Sequence, residues 1–303
     1  MDAVTIENLT KTYNGTHVLK GITLTIPQGE FYCLMGPNGS GKTTLVSIIA
    51  SVRSPTQGTI KIFGESPDQA KPLIGYVPQE NFSSPSLTGK ENLVYFARIL
   101  GYPKSKAELL ADDLLQKIGL STEAQKRVSH YSGGMRKRLE VATALFPGIN
   151  LLILDEPTTG LDPSARRTFF GLIDEIKEKE TTILLVTHIG ADAELATRVG
   201  LMDKGILIAE GDPETLKDQS GLENVVTVDT AIKSNKIIDA LKKFGTPLET
   251  DTGYRIPCKN AEELIPDMVR SLDNAGVKIL RLEMTKPSLE DVFFNLTGKS
   301  VGD

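Results

Sequence analysis

A chain of 303 residues is long enough for about two domains, each burying a core of its own. Its 40% hydrophobic and 24% charged residues exclude wholesale disorder. The formal charge of −5, with no basic arm in either half, argues against nucleic acid as a main partner, because phosphate backbones call for clustered Lys and Arg.

The first part alternates strand-like and helix-like segments. Residues 2–9, 21–26 and 58–63 carry short β patterns separated by turns. The run 30–35 is almost continuously apolar and stops at Gly36, as expected of a strand buried on both faces, and 151–154 and 182–186 are of the same kind. Between them Thr88 and Glu91 have the spacing of a capping box ahead of Leu93, Phe96, Ala97 and Leu100, which recur at helical spacing. Ser105 and Glu108 predict a second box, opening a helix to about Gly119. Asp162 and Pro163 predict the cap and first turn of a helix to about residue 179. The fold class is α/β, a parallel-sheet core with a mostly helical insertion at about 80–145.

Residues 212–221 read as a connection, and a different rhythm follows. A strand is expected over 224–230. A helix over 234–244 places Ile237, Ile238, Leu241 and Phe244 on one face. A hairpin of 247–250 and 254–258 turns around Asp251-Thr252-Gly253, then come a helix over 261–275, kinked at Pro266, and a strand over 277–284. That β-α-β-β-α-β order points to a small α+β domain of ferredoxin-like type. A last helix over 288–296 is expected to place Leu289, Val292, Phe293 and Leu296 in the domain core. The chain therefore divides into 1–219 and 220–303. Its longest uninterrupted apolar runs are five residues, 31–35 and 93–97, against the roughly 20 that a spanning helix needs. The first residues show neither the basic nor the apolar region of a secretion signal. Cys33 and Cys258 follow no metal or redox spacing and read as packed thiols in a reducing cytoplasm.

Two stretches carry chemistry directly. Gly36-Pro37-Asn38-Gly39-Ser40-Gly41-Lys42-Thr43-Thr44 satisfies the phosphate-loop pattern G-x-x-x-x-G-K-[ST] between a buried strand and an apolar helix. Its glycines let backbone N–H groups curl around phosphates, and the helix N-terminus adds a favourable dipole. Lys42 is placed for the β- and γ-phosphates and Thr43 for Mg²⁺. Leu151 to Leu154 lead into Asp155 and Glu156. Alone such a pair reads as a solvated turn; below a phosphate loop, Asp155 reads as a Mg²⁺ ligand and Glu156 as the group that deprotonates the attacking water.

Tyr131-Ser132-Gly133-Gly134-Met135-Arg136, lying between those motifs, resembles the signature sequence of ATP-binding cassette (ABC) proteins, although many members have Gln where this chain has Met135. The resemblance covers residues 1–215. It implies that Ser132, Gly133 and Gly134 act on nucleotide, and that Gln79 is the Q-loop glutamine linking Mg²⁺ and water to the helical insertion. It also implies that Gly160-Leu161-Asp162 is the D-loop between protomers, His188 the switch histidine at the γ-phosphate, and Tyr13 the aromatic that stacks on adenine. Residues 287–298 resemble the C-terminal segment of drug-resistance-type ATP-binding subunits, which pair with ABC-2 permeases.

What the resemblance implies is an ATP-hydrolysing subunit of a transporter, of exporter type, with ATP and Mg²⁺ as cofactors. It would work as a homodimer, or as a heterodimer with another such subunit. Each ATP would lie between one chain's phosphate loop and the other's signature, and a separate integral-membrane permease would hold the cytoplasmic pair on the inner face of the cell membrane. The rival readings fit less well. ABC proteins of ribosomes carry two cassettes per chain, and those of DNA repair carry a long coiled coil between the two nucleotide motifs, where Lys42 and Asp155 here are only 113 positions apart; a small-molecule kinase would leave Ser132 to Gly134 unexplained.

Overall fold

The computed structural model describes residues 1–177 and 180–301. They form two compact units: 1–213 together with 297–301, and Glu214–Leu296.

The first unit opens with β1 (Asp2–Tyr13) and β2 (Thr16–Pro27), an antiparallel pair joined by Asn14-Gly15. β3 (Phe31–Met35) is buried along its whole length and runs into α1 (Lys42–Ile49). β4 (Gln57–Ile62) pairs with β1, so that β2-β1-β4 make a three-stranded antiparallel sheet. A short α2 (Pro67–Ala70) leads to β5 (Ile74–Val77). The helical insertion follows as α3 (Gly89–Ile99), α4 (Lys104–Lys117) and α5 (Gly133–Ala142). Then come β6 (Leu151–Asp155), α6 (Pro163–Lys177), β7 (Thr182–Thr187), a four-residue α7 (Gly190–Ala193) and the hairpin β8 (Arg198–Asp203) with β9 (Ile206–Gly211).

The larger sheet has the order β5-β6-β7-β3-β8-β9, parallel except for β9 at the edge. Helix α1 lies between the two sheets. Its Leu45, Val46, Ile48 and Ile49 pack with Val4, Ile6 and Ile22 from one sheet and Tyr32, Leu34, Ile153 and Leu184 from the other. Burial on both sides explains why six of its eight residues are hidden and why it shows no solvent face in the sequence. The phosphate loop thus opens into a helix buried between the two sheets.

The Thr88 box forms as read: Thr88 Oγ1 accepts from the Glu91 N–H at 3.1 Å, and Glu91 Oε2 accepts from the Thr88 N–H at 2.8 Å. The Ser105 box does not form. Helix α4 begins at Lys104, directly after an extended Pro103, and Ser105 already lies in its first turn. Asp162 Oδ1 accepts from the N–H groups of Ser164 and Ala165, each at 2.9 Å, as a cap should. Residue 179, where that helix was expected to end, lies outside the described residues.

The second unit begins in the expected connection, where residues 213–219 form a helix, α8 (Pro213–Gln219), rather than an irregular link. It continues as β10 (Asn224–Thr230), α9 (Asn235–Leu241), β11 (Leu248–Glu249), β12 (Gly253–Cys258), α10 (Ala261–Asn274), β13 (Ile279–Thr285) and α11 (Leu289–Thr297, its last residue counted with the first unit). The antiparallel sheet β11-β12-β10-β13 is the ferredoxin-like arrangement, with the first and third strands of the unit in the centre. Val226, Val228, Tyr254 and Ile256 meet Ile237, Leu241, Met268 and Leu272 in its core. Helix α10 continues through Pro266 as one element. On α11, Leu289, Val292 and Phe293 are buried as expected but Leu296 is not: it is 49% exposed, beside Phe294 at 58%. Helical spacing put Leu296 on the apolar face, but the helix ends one residue later and its last turn finds no cover.

Residues 297–301 return to the first unit. Val301 is 3% exposed, and Lys299 and Ser300 line a cavity of about 170 Å³ with Pro37, Asn38, Gly39 and Ser40.

Candidate active site

The loop after β3 is tight because its backbone has little room. A Cβ on Gly36 would stand 2.1 Å from the carbonyl oxygen of Met202 on β8, so only glycine lets the chain turn there. Gly41, with φ of +105°, places the loop's last amide at the N-terminus of α1. Asn38, Gly39, Gly41, Lys42, Thr43 and Thr44 then line a cavity of about 460 Å³ together with Val18, Gln79 and Glu156. That volume suits a nucleotide-sized ligand. Of the other loop residues, Gly36 packs on β8, and Pro37 and Ser40 face the cavity shared with residues 299 and 300.

Lys42 is 5% exposed, and its ammonium donates to the carbonyl oxygens of Gly36 at 2.6 Å and Pro37 at 2.9 Å. Burial lowers its pKa, opposed by the carboxylates of Glu156 and Asp155. Glu156 Oε1 lies 3.7 Å from it.

Asp155 ends β6 fully buried. Thr43 Oγ1 donates to its Oδ1 at 3.4 Å, while Oδ2 has no hydrogen-bond partner. Burial, above all, raises its pKa to about 6, against the Thr43 hydrogen bond and the charges of Lys42 and Lys137. A buried carboxylate left this poorly compensated suits a cation. Glu156 follows in the left-handed region, with φ of +50°, a conformation uncommon outside glycine and concentrated at functional sites. Its N–H donates to the Val186 carbonyl at 2.9 Å, which fixes the turn. Its Oε2 accepts from His188 Nδ1 at 2.7 Å and from Thr159 Oγ1 at 3.2 Å, and Oε1 carries no hydrogen bond. The structure therefore brings Lys42, Thr43, Gln79, Asp155, Glu156 and His188 to one place from four segments of chain.

Ser132 and Gly133 stand elsewhere. Ser132 caps α5, accepting from the Met135 N–H at 3.2 Å, and both residues are exposed. They, Gly134 and Tyr13 are not among the residues that line the phosphate-loop cavity. Tyr13 ends β1 half-buried; its hydroxyl accepts from Arg53 Nη1 at 2.7 Å, and Lys11 Nζ lies 4.9 Å from its ring centroid.

Sequence reasoning missed two participants. Val18 lines the cavity from β2, a position with no motif around it. Asp192, fully buried on α7, accepts from Thr158 Oγ1 and, at 2.5 Å, from Arg166 Nε. It thereby ties the turn after Glu156 to the turn after His188.

The chain matches the family model described as ABC transporter over residues 19–159. It matches that of the ATP-binding protein DrrA1-3-like C-terminal domain over 211–297. It is 30% identical to the linearmycin resistance ATP-binding protein LnrL of Bacillus subtilis, over 98% of this chain and 99% of that one. It is 33% identical to the daunorubicin resistance ATP-binding protein DrrA3 of Streptomyces coeruleorubidus, over 98% and 96%. With the Nod factor export ATP-binding protein I of Rhizobium meliloti the identity is 35%, over 99% and 90%. Among solved structures, a dimeric ATP-binding cassette in a post-hydrolysis state with ADP and Pi superposes with a TM-score of 0.63 at 28% identity, covering 69% of this chain and 98% of that one. The cbiO1 component of an ABC transporter complex from Clostridium perfringens gives 0.66 at 28% identity, covering 72% and 91%.

Proposed function

This chain belongs to the ABC transporter family as an ATP-binding and ATP-hydrolysing subunit, and from that premise we propose that two such chains close on two ATP molecules to drive a separate membrane permease of exporter type. The observation that carries the reading is that Lys42, Thr43 and Glu156 line one cavity, with Asp155 bonded to Thr43 and His188 to Glu156, while Ser132 and Gly133 are exposed and do not line it.

In this reading the triphosphate lies along the loop amides and the first turn of α1, where partial positive charge gathers. Lys42 exchanges its bonds to the Gly36 and Pro37 carbonyls for the β- and γ-phosphates. Thr43, Asp155 and Gln79 would hold Mg²⁺, which when bound offsets charge on the phosphate oxygens; the unpartnered Asp155 Oδ2 fits that role. Glu156 Oε1, free of hydrogen bonds, takes a proton from a water as its oxygen attacks the γ-phosphorus and the bond to ADP breaks. His188 holds Oε2 of the same carboxylate, so the base keeps one orientation. Tyr13 stacks on adenine, kept in place by Arg53.

The signature supplies the other half. Ser132 and the amides of Gly133 and Gly134, at the N-terminus of α5, suit the phosphate of an ATP held by a second chain. Among the described residues no helix is long and apolar enough to cross a membrane, so in a transporter the spans come from a partner. The relatives named for drug resistance and for Nod factor export favour an ABC-2-type permease on the inner face of the cell membrane.

The test is complementation in chains that also carry Glu156→Gln to block hydrolysis. Lys42→Ala and Ser132→Arg each leave a homodimer with no intact site. Their mixture contains one site that joins the intact Lys42 of one chain to the intact Ser132 of the other. ATP-dependent heterodimer on size-exclusion chromatography is expected; two folded variants that never associate would sink the shared site.

A further inference from the structure

Helix α5 carries a buried charge that the chemistry above does not use. Glu140 is fully buried, about two turns beyond Ser132. Its Oε1 accepts from the N–H of Phe82 at 3.2 Å, the N–H of Ser83 at 3.3 Å and Ser83 Oγ at 2.8 Å. One turn earlier, Arg136 donates from Nε to Ser83 Oγ at 2.9 Å and from Nη2 to the Ser83 carbonyl at 2.7 Å, with its Nε 3.4 Å from Glu140 Oε1. Lys137 Nζ, also buried, stands 3.5 Å from Glu140 Oε2. The neighbouring Ser84 exchanges backbone bonds with the Asn92 side chain, its N–H donating at 2.8 Å and its carbonyl accepting at 3.1 Å. Phe82 packs edge-on against Phe96, with ring centroids 5.5 Å apart. The backbone of 82–84, three residues beyond Gln79, is therefore held by side chains of α3 and α5.

A carboxylate taken out of water is costly, and removing one partner of such a cluster leaves the rest uncompensated. The cluster joins two elements that serve different nucleotides in the shared arrangement: Gln79 the chain's own, Ser132 the partner's. We propose that Glu140, together with Arg136, is a positioning residue that fastens the signature helix to the segment behind Gln79, so that ATP in one site determines how Ser132 is presented to the other. This inference rests on the shared-site reading. Glu140 touches no nucleotide; it acts through Ser83 and through the helix that Ser132 caps. The side chain at 140 therefore matters to closure rather than to capture of ATP.

The test uses the full chain with Glu156→Gln as parent, alone and with Glu140→Gln added. Glutamine keeps an oxygen for Ser83 but removes the charge that faces Arg136 and Lys137. Two quantities are read with Mg²⁺ present. One is the ATP affinity of the monomer, by equilibrium dialysis at low protein concentration. The other is the ATP concentration giving half-maximal dimer on size-exclusion chromatography. The first is expected to stay within about twofold, and the second to rise about 5- to 150-fold, the range of ordinary coupling between sites. Arg136→Gln, at a side chain 26% exposed, is expected to shift dimerisation the same way and carries the test if Glu140→Gln does not fold. Unchanged dimerisation in the folded variants overturns the proposal. So does monomer affinity falling in step with dimerisation, which would mean a general disturbance of the unit. If the parent itself forms no ATP-driven dimer, the shared-site reading falls first and this inference with it.

Discussion

Replacing Glu156 by Gln tests the chemistry with the least change of shape. The backbone there is left-handed, and Gln bears that conformation as Glu does. The carboxamide can still meet His188 and Thr159, which now stand 2.7 Å and 3.2 Å from Oε2. What disappears is the base at Oε1 and the negative charge 3.7 Å from Lys42. Loss of a general base slows turnover by about 10²–10⁴, or about 3–5 kcal/mol in the barrier. Binding should move the other way. At 3.7 Å and an effective dielectric of about 20, the Lys42–Glu156 attraction is of order 4 kcal/mol before solvation is counted, so its removal frees the ammonium for phosphate. The expected outcome is ATP affinity equal to or tighter than wild type, with phosphate release down by that factor. Equilibrium binding and steady-state phosphate release measure the two. Near-normal release would assign the base elsewhere, and lost binding in a folded chain would make Glu156 a structural brace.

Asp155→Asn should stabilise the chain when Mg²⁺ and nucleotide are absent. Burial raises the Asp155 pKa from 3.8 to about 6, so the folded state keeps its proton to higher pH than the unfolded one. The penalty, of order 3 kcal/mol, is fully present above about pH 6 and gone below about pH 4. Melting curves should show the variant ahead at pH 7.5 and the gap closing from pH 6 to 4; a gap independent of pH contradicts this account. Thr88→Ala removes the acceptor for the Glu91 N–H and should cost about 1 kcal/mol, with faster amide exchange in the first turn of α3. An unchanged midpoint and unchanged exchange would show that the cap contributes nothing there.

The nucleotide residues were legible because their chemistry demands fixed spacing within a few residues. Gly36 to Thr44 must form one turn around phosphate, and Asp155 and Glu156 must end one buried strand. The Thr88 box was legible for the same local reason. The hairpin β8–β9 had no such signal: β9 is half-exposed along almost its whole length, so its side chains do not alternate. Glu140 and Asp192 were invisible because their partners are remote. Ser83 lies 57 residues from Glu140, and Thr158 lies 34 from Asp192. Each looks like a surface acid on a short helix until the fold brings its partner near. Leu296 failed differently, since periodicity says which face a residue takes but not whether anything covers it.

Residues 297–301 make the nucleotide unit discontinuous in sequence, with Glu214–Leu296 spliced into it. As the chain leaves the ribosome, both sheets around α1 can assemble once residue 211 has emerged. The contacts of Lys299 and Ser300 around the cavity they line with Pro37 to Ser40 cannot. They join opposite ends of the chain, and such contacts slow folding more than they weaken the final state. The lining of that cavity is therefore completed only after the spliced-in residues have been made.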